Sequence, residues 1–440
     1  MQKNILDKYS IVLIIICLFL LLIFKYASYL FEDFNNNYFA PIIVGIVGAL
    51  LIAFVVQPYI DNGKTKKEID YHFKQADESY KNSEYKKEID EYKEILKISY
   101  NKITEFHDEY ARALYKLGNA YSSLAKIKDK EVNANKAITA FKNALDIFTV
   151  GKYPIDYAQT QNNLGNVYCT FADIKNKEVN ANNAITTCQE ALRIFTDDNY
   201  PFDYAQTQQY LGNAYRILAE VKDKEINVNY AITAYENALS IYKVEKYPLD
   251  YARVQNKLGI AYRFLAEVKD KEVNVNYAIT AFKNALDIFT VGKYPIDYAQ
   301  NQTNLGNAYN TSAEVKDIEG NVSNAIIAYR KALSIDTLEE YPLYYAKIQN
   351  NFGNVYVLLA GVKDKEVNAK NAITAYREAL KVRTAKEYPF DHARTQNNLG
   401  NAYRTLAEVK DKEINAKNAI TAYENALRIY TVDEYPIDFA

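Results

Sequence analysis

Apolar positions return every three or four residues along most of the chain, the spacing of one buried helix face. Within residues 154–195, Tyr157, Ala158, Gln161, Leu164, Gly165, Tyr168, Phe171 and Ala172 share one face. Ala184, Ile185, Cys188, Ala191, Leu192 and Phe195 share another. The pattern predicts two amphipathic helices. Pro154 and Asp156 suit the start of the first, since proline needs no N–H there and a carboxylate complements the free backbone donors and the positive dipole end. The charged stretch "KNKEVN" predicts a solvated loop, and Asn180 is the expected N-cap of the second helix.

This pair of helices recurs. Gly118, Gly165, Gly212, Gly259, Gly306, Gly353 and Gly400 stand 47 residues apart, as do seven Tyr-Pro pairs from Tyr153-Pro154 to Tyr435-Pro436. A fixed period of this length implies a solenoid, in which each unit buries its apolar face only against its neighbours. Asn occupies the Asn180 place in all seven units, and the Cys188 place holds Phe or Tyr in the other six. Residues 65–110 read as a divergent eighth pair. Tyr85, Ile89, Tyr92, Ile95 and Leu96 fit its second helix, and Ala76 stands at the glycine place.

The first sixty residues differ. Tyr9–Phe24 and Phe39–Val56 are uncharged apolar runs, near the length that spans a bilayer. They predict a hairpin of two transmembrane helices, over about 9–30 and 39–57. A signal peptide is the alternative, because Lys3 and Lys8 precede the first run, but no small-residue cleavage site follows it. Lys3 and Lys8 before the hairpin, and Lys64, Lys66, Lys67 and Lys74 after it, predict a multi-pass protein of the cell membrane with both termini cytoplasmic.

Leu211-Gly212 and Tyr215, followed by Ala231, Tyr235 and Ala238, resemble the two-helix signature of the tetratricopeptide repeat (TPR). The long unit is similar to repeats of kinesin light chains and of many prokaryotic TPR scaffolds. The resemblance covers residues 110–434 and implies an all-α, right-handed solenoid, with residues 110–440 holding seven repeats. It departs from the usual TPR length of about 34 residues, and the extra residues are expected in the loop between helices and between units. The family's Trp position holds Gln in six units, such as Gln161 and Gln396.

In TPR proteins the first helices line a concave groove that holds an extended segment of a partner. Carried over, the residue after each repeat glycine enters that groove: Asn119, Asn166, Asn213, Asn307, Asn354 and Asn401, with Ile260 the exception. Asn162, Asn256, Asn350 and Asn397 lie three residues before the respective glycines. An asparagine amide both donates and accepts, so a ladder of them could pair with a peptide backbone. Arg216, Arg253, Arg263, Lys347, Arg394 and Arg404 would add selectivity for an acidic segment or a C-terminal carboxylate. The competing reading makes the asparagines structural, bonded within or between helices. Finding them turned into a packed helix interface would remove the ladder.

Composition narrows the function further. A net charge of −2 does not suggest a nucleic-acid partner. Three cysteines make no disulfide framework. His72, His107 and His392 have no metal-ligand spacing, and no phosphate loop or nucleophile motif occurs, so neither catalysis nor a cofactor is expected. The reading is a membrane-anchored scaffold that binds proteins. The alternatives are an outward-facing envelope scaffold and the regulatory half of an enzyme system. The chain stops at "YPIDFA", the opening of another first helix, which predicts either truncation or self-association through an uncapped last repeat.

Overall fold

The computed structural model describes residues 52–429, except Asn101 and Asp336, together with Leu22, Lys25, Ile46, Gly48 and Ala49. A π-helical turn, Ile52–Val56, leads into α1 (Gln57–Lys81), which pairs with α2 (Tyr85–Tyr100). Then follow α3 (His107–Ala125) with α4 (Lys130–Leu145), next in the chain α5 (Pro154–Ala172) and α6 (Lys177–Leu192), and α7 (Pro201–Leu218) with α8 (Lys224–Ile241). After these come α9 (Pro248–Leu265) with α10 (Lys271–Leu286), and α11 (Pro295–Ala313) with α12 (Ile318–Leu333). The array continues through α13 (Pro342–Ala360) with α14 (Lys365–Leu380), and α15 (Pro389–Ala407) with α16 (Lys412–Leu427). Two compact units, Met1–Val167 and Tyr168–Ala440, divide within α5.

The expected membrane helices lie almost wholly outside the described residues, as does the final "YPIDFA". Among the described residues no helix is long and apolar enough to cross a membrane. Residues 52–56 run directly into α1, whose Asp61, Lys64, Lys66, Lys67, Glu68 and Asp70 carry charge through the helix. The multi-pass placement with cytoplasmic termini is therefore corrected: the described structure holds no membrane-spanning helix on which it could rest.

Within each unit the repeat is a tightly packed helix pair. Its closest contact joins the glycine of the first helix to an aromatic side chain 23 residues later. A Cβ at Gly118, in the first unit, would fall 2.7 Å from the ring of Phe141. In the second unit, a Cβ would fall 2.6 Å from Tyr235 at Gly212, 2.7 Å from Phe282 at Gly259, and 2.3 Å from Tyr376 at Gly353. Glycine is a poor helix former, but here its missing side chain is the space the ring occupies. Tyr235, Phe282 and Tyr329 are almost wholly buried there.

The turns are shorter than the sequence reading implies. Only residues 173–176 separate α5 from α6, so "KEVN" belongs to the second helix. The residue before that helix is Asp129, Asn176, Asp223, Asp270, Asp317, Asp364 or Asp411, with φ between 39° and 50°. This is the left-handed region that Asp and Asn enter more readily than other side chains. Asn180 and its counterparts are consequently not N-caps. They lie in the first turn, and Nδ2 donates to the carbonyl five residues earlier, as in Asn180 to Lys175 at 2.6 Å and Asn274 to Lys269 at 2.7 Å.

The charged turns also link neighbouring repeats. Lys222 reaches back to Glu178 at 2.9 Å, Lys269 to Glu225 at 2.8 Å, and Lys410 to Glu366 at 2.7 Å. Lys177 reaches forward to Glu220 at 2.6 Å, and Lys365 to Glu408 at 2.8 Å. Each exposed pair contributes little alone, but their regularity orders one edge of the array. Between repeats the chain turns on an edge-to-face ring contact: Phe195 with Tyr200 at 5.6 Å and Tyr242 with Tyr247 at 5.6 Å.

Gly259→Ala tests the ring contact. Helix propensity alone would favour alanine by about 1 kcal/mol, but overpacking against Phe282 should outweigh it and destabilise the array by about 1–3 kcal/mol. Urea unfolding reads the sign directly. An unchanged midpoint would show that the ring can move aside at no cost.

Candidate functional site

Consecutive first helices bring polar residues of the second unit into one groove of about 410 Å³. Asn307, Asn310 and Thr311 come from α11, Lys347, Asn350, Asn351 and Asn354 from α13, and Arg394 and Asn398 from α15. Arg263 on α9 and Arg383, just after α14, complete the lining. Four of these side chains are cationic and none is acidic.

The ladder asparagines have a divided role. Their carbonyl oxygens are engaged by the fold. Tyr235 donates its hydroxyl to Asn213 Oδ1 at 2.9 Å, Tyr329 to Asn307 at 2.7 Å, Tyr376 to Asn354 at 2.7 Å, and Tyr423 to Asn401 at 2.9 Å. The next repeat then donates to the same oxygens, Asn351 to Asn307 at 2.8 Å and Asn398 to Asn354 at 3.2 Å. In the first unit Asn163 donates to Asn119 at 2.9 Å. Ile260 belongs to a repeat whose aromatic, Phe282, has no hydroxyl, but Asn119 and Asn166 also stand in repeats without one, at Phe141 and Cys188, so nothing in the structure explains the exception. Among the described residues no acceptor takes the Nδ2 donors of Asn307 and Asn354. The half-buried residues thus keep N–H groups on the groove side.

Other expected site residues are distributed differently. Asn213, Arg216, Arg253, Asn256, Asn397, Asn401 and Arg404 belong to the second unit but not to this groove. Asn256 donates to Asn301 at 2.5 Å and accepts from Asn304 at 3.3 Å. Arg216 pairs with Glu220 at 2.7 Å, while Arg263, in the groove, pairs with Glu267 at 3.2 Å. Asn350 is buried and accepts from Thr395 at 3.2 Å. In the first unit Asn162 is buried, whereas Asn119 and Asn166 line a separate groove.

The sequence reading missed Arg383. Phe148, Phe195, Tyr242 and Phe289 are the buried aromatics at its place in other repeats, yet Arg383 is only 4 % exposed. Its Nη1 donates to Thr395 Oγ1 at 3.0 Å, and Nη2 lies 3.7 Å from Asp391. The departure was visible in the aligned repeats, although its direction into the groove was not. Lys347 keeps contact with solvent. Desolvation, followed by Arg263, Arg383 and Arg394, holds its ammonium below the ordinary lysine pKa, and Asp391 acts against this. Asp391 itself is held by Arg394 at 2.5 Å. The groove thus gathers cations and amide donors, of which Arg263, Arg383 and Arg394 already face the carboxylates of Glu267 and Asp391.

His72 bonds Glu91 at 2.7 Å, and His392 Nδ1 donates to the Arg383 carbonyl at 2.7 Å. Cys169 and Cys188 are buried thiols, with Cys169 pushed up to about 12 by burial. Among the described residues no group of three or more His, Cys, Asp or Glu side chains is placed to hold a metal ion.

A second missed residue is Lys257, which stands where Asn304, Asn351 and Asn398 occur in later repeats. Its Nζ donates to Asn213 Oδ1 at 3.0 Å. Desolvation chiefly, then Arg216 and Arg253, lowers its pKa to about 8. A lowered lysine penalises the folded state below pH 8, and the penalty fades as the pH rises towards the unfolded value. Lys257→Asn should therefore melt a few degrees higher than the parent at pH 7, with the gain shrinking at pH 10. Equal melts at pH 7 would show that the ammonium is not strained.

No family model matches the chain, and no curated protein matches it. Solved structures are similar in their helical-repeat fold. The apo form of RapI is 17 % identical over 71 % of this chain and 97 % of that chain, with a TM-score of 0.41. A human IFIT1 dimer with PPP-AAAA is 15 % identical over 90 % and 92 %, with a TM-score of 0.38. The P58(IPK) TPR domain is 13 % identical over 82 % and 98 %, with a TM-score of 0.22. What the chain's own structure shows is a repeated array of helix pairs.

Proposed function

We propose that this chain is a protein-interaction scaffold whose second unit binds an extended, acidic segment of a partner protein. The observation that carries this reading is the convergence of Arg263, Lys347, Arg383 and Arg394 on one groove without an acidic lining residue. Carboxylates of the segment meet these cations, and the Nδ2 groups of Asn307 and Asn354 donate to its backbone carbonyls. A neighbouring cavity of about 230 Å³ shares Lys347 and is lined by Ile260, Ile348 and Tyr344. It suits an apolar side chain next to the acid. The recognition unit is therefore an acidic residue beside an apolar one, on a chain held extended by the amides. The scaffold contributes binding and placement, with no catalytic step.

Fluorescence anisotropy with a labelled peptide carrying glutamates and one leucine tests this on the full chain. Binding should weaken with added salt. It should fall at least about tenfold in a Lys347→Ala, Arg394→Ala double variant, the loss expected when charge-assisted contacts are removed. Equal binding of the glutamine counterpart, or no effect of the double variant, would count against the acidic segment.

A further inference from the structure

The first unit holds a groove of different character, of about 370 Å³, whose charged lining residues are Glu88, Lys116 and Lys126, with Tyr80, Tyr92 and Asn119 beside them. Glu88 is only 3 % exposed. Its Oε2 has no hydrogen-bond partner among the described residues. A carboxylate removed from water with one of its oxygens left open is costly for a fold to hold. The groups facing it are Lys116 from α3, Asp77 from α1 and Tyr92 one turn along α2, whose hydroxyl hydrogen-bonds the carboxyl, while Arg112 from α3 acts on Tyr92. Arg112 is engaged elsewhere, its guanidinium lying over the Phe73 ring at 4.8 Å. Lys116 is near enough to act on Glu88 through its charge, yet Oε2 remains open. Tyr80, 59 % exposed, presents an aromatic ring in the same lining, and such a ring attracts cations.

We propose that this groove is a second, independent binding site, in which Glu88 receives a positively charged group, an amine or guanidinium, of a bound segment. The bound cation offsets what burial withholds from the carboxylate, and Tyr80 flanks it. This site is separate from the anion groove of the second unit and does not depend on that reading. Burial, opposed in part by Lys116 and reinforced by Asp77, raises the Glu88 carboxyl to about 7. Only the ionised form attracts the cation, so occupancy depends on pH across the neutral range.

The test uses the full chain and a fluorescein-labelled Gly-Ser peptide carrying two lysines, whose amines stay charged from pH 6 to 8. Apparent affinity scales with the competent fraction, so it should rise about tenfold between pH 6 and pH 8. Glu88→Gln should abolish that rise and weaken binding at pH 8 to the pH 6 level. Folding of the variant is checked by melting. A carboxyl raised in the folded state contributes stability below its unfolded pKa that is lost as the pH rises through about 7. Glu88→Gln should therefore melt higher than the parent at pH 8. The Lys347→Ala, Arg394→Ala variant should bind the lysine peptide unchanged, which separates this site from the groove of the second unit. Absence of binding overturns the proposal, as does a pH response that survives in Glu88→Gln. Tighter binding of a glutamate peptide through the same groove, strengthening at low pH, would overturn it in favour of an anion site.

Discussion

The distance between the two helices of a pair is set where an aromatic ring lies on the backbone of a glycine, and the rest of the array follows from that contact. A side chain at Gly306 or Gly400 would sit 2.4 or 2.5 Å from the facing tyrosine, inside any real carbon–carbon contact. Once a tyrosine ring is laid there, its hydroxyl comes beside the residue after the glycine and requires an acceptor, because a buried hydroxyl without one is costly. Asparagine supplies it. Its oxygen has a second lone pair, and the next repeat fills that with Asn351 or Asn398. One contact within a pair thereby becomes a chain of bonds between pairs. This explains how a helix tolerates glycine and asparagine at its centre: their intrinsic cost is local, and the packing they permit is repeated along the array.

Much of this was legible in the sequence. The period, the helix pairs and the proline starts follow from spacing, because every unit has the same length and the same apolar faces. The turn was misjudged because charged residues suggested a loop. Their partners lie 43 or 44 residues away, as in Lys177 with Glu220 and Lys222 with Glu178, and no local pattern shows such a pair. Asn180 was misread because it resembles a cap, whereas an Asn or Asp four residues earlier takes the left-handed conformation.

The candidate sites were less legible, for a physical reason. In a repeated chain the shared residues report the packing, so the chemistry peculiar to one place resides in the departures. Arg383 replaces a buried aromatic, Lys257 replaces an asparagine, and Glu88 belongs to the divergent first pair. Each places a charge where most other repeats keep an apolar or neutral group, with Asp336 the other charged residue at the Arg383 place. A search by motif favours the recurring asparagines. A search by cost favours the exceptions, and it is the exceptions that bring Arg383 beside Lys347 and Arg394.

One further departure bears on the groove of the second unit. The forward ion pair between repeats joins the lysine that opens a second helix to a glutamate 43 residues on, as Lys365 joins Glu408. At α12 the lysine is Ile318, and 43 residues on, at the end of α13, the glutamate is Gly361. Both partners are lost together, and only the backward pair, Lys363 with Glu319 at 3.0 Å, remains. A lone exposed lysine would have cost the fold almost nothing, so stability does not require the double loss. The joint concerned connects the repeat of α11 with that of α13, the two helices that supply Asn307, Lys347 and Asn354 to the groove. Among the described joints of the second unit, the turn edge thus carries one ion pair beside the groove where the flanking joints carry two.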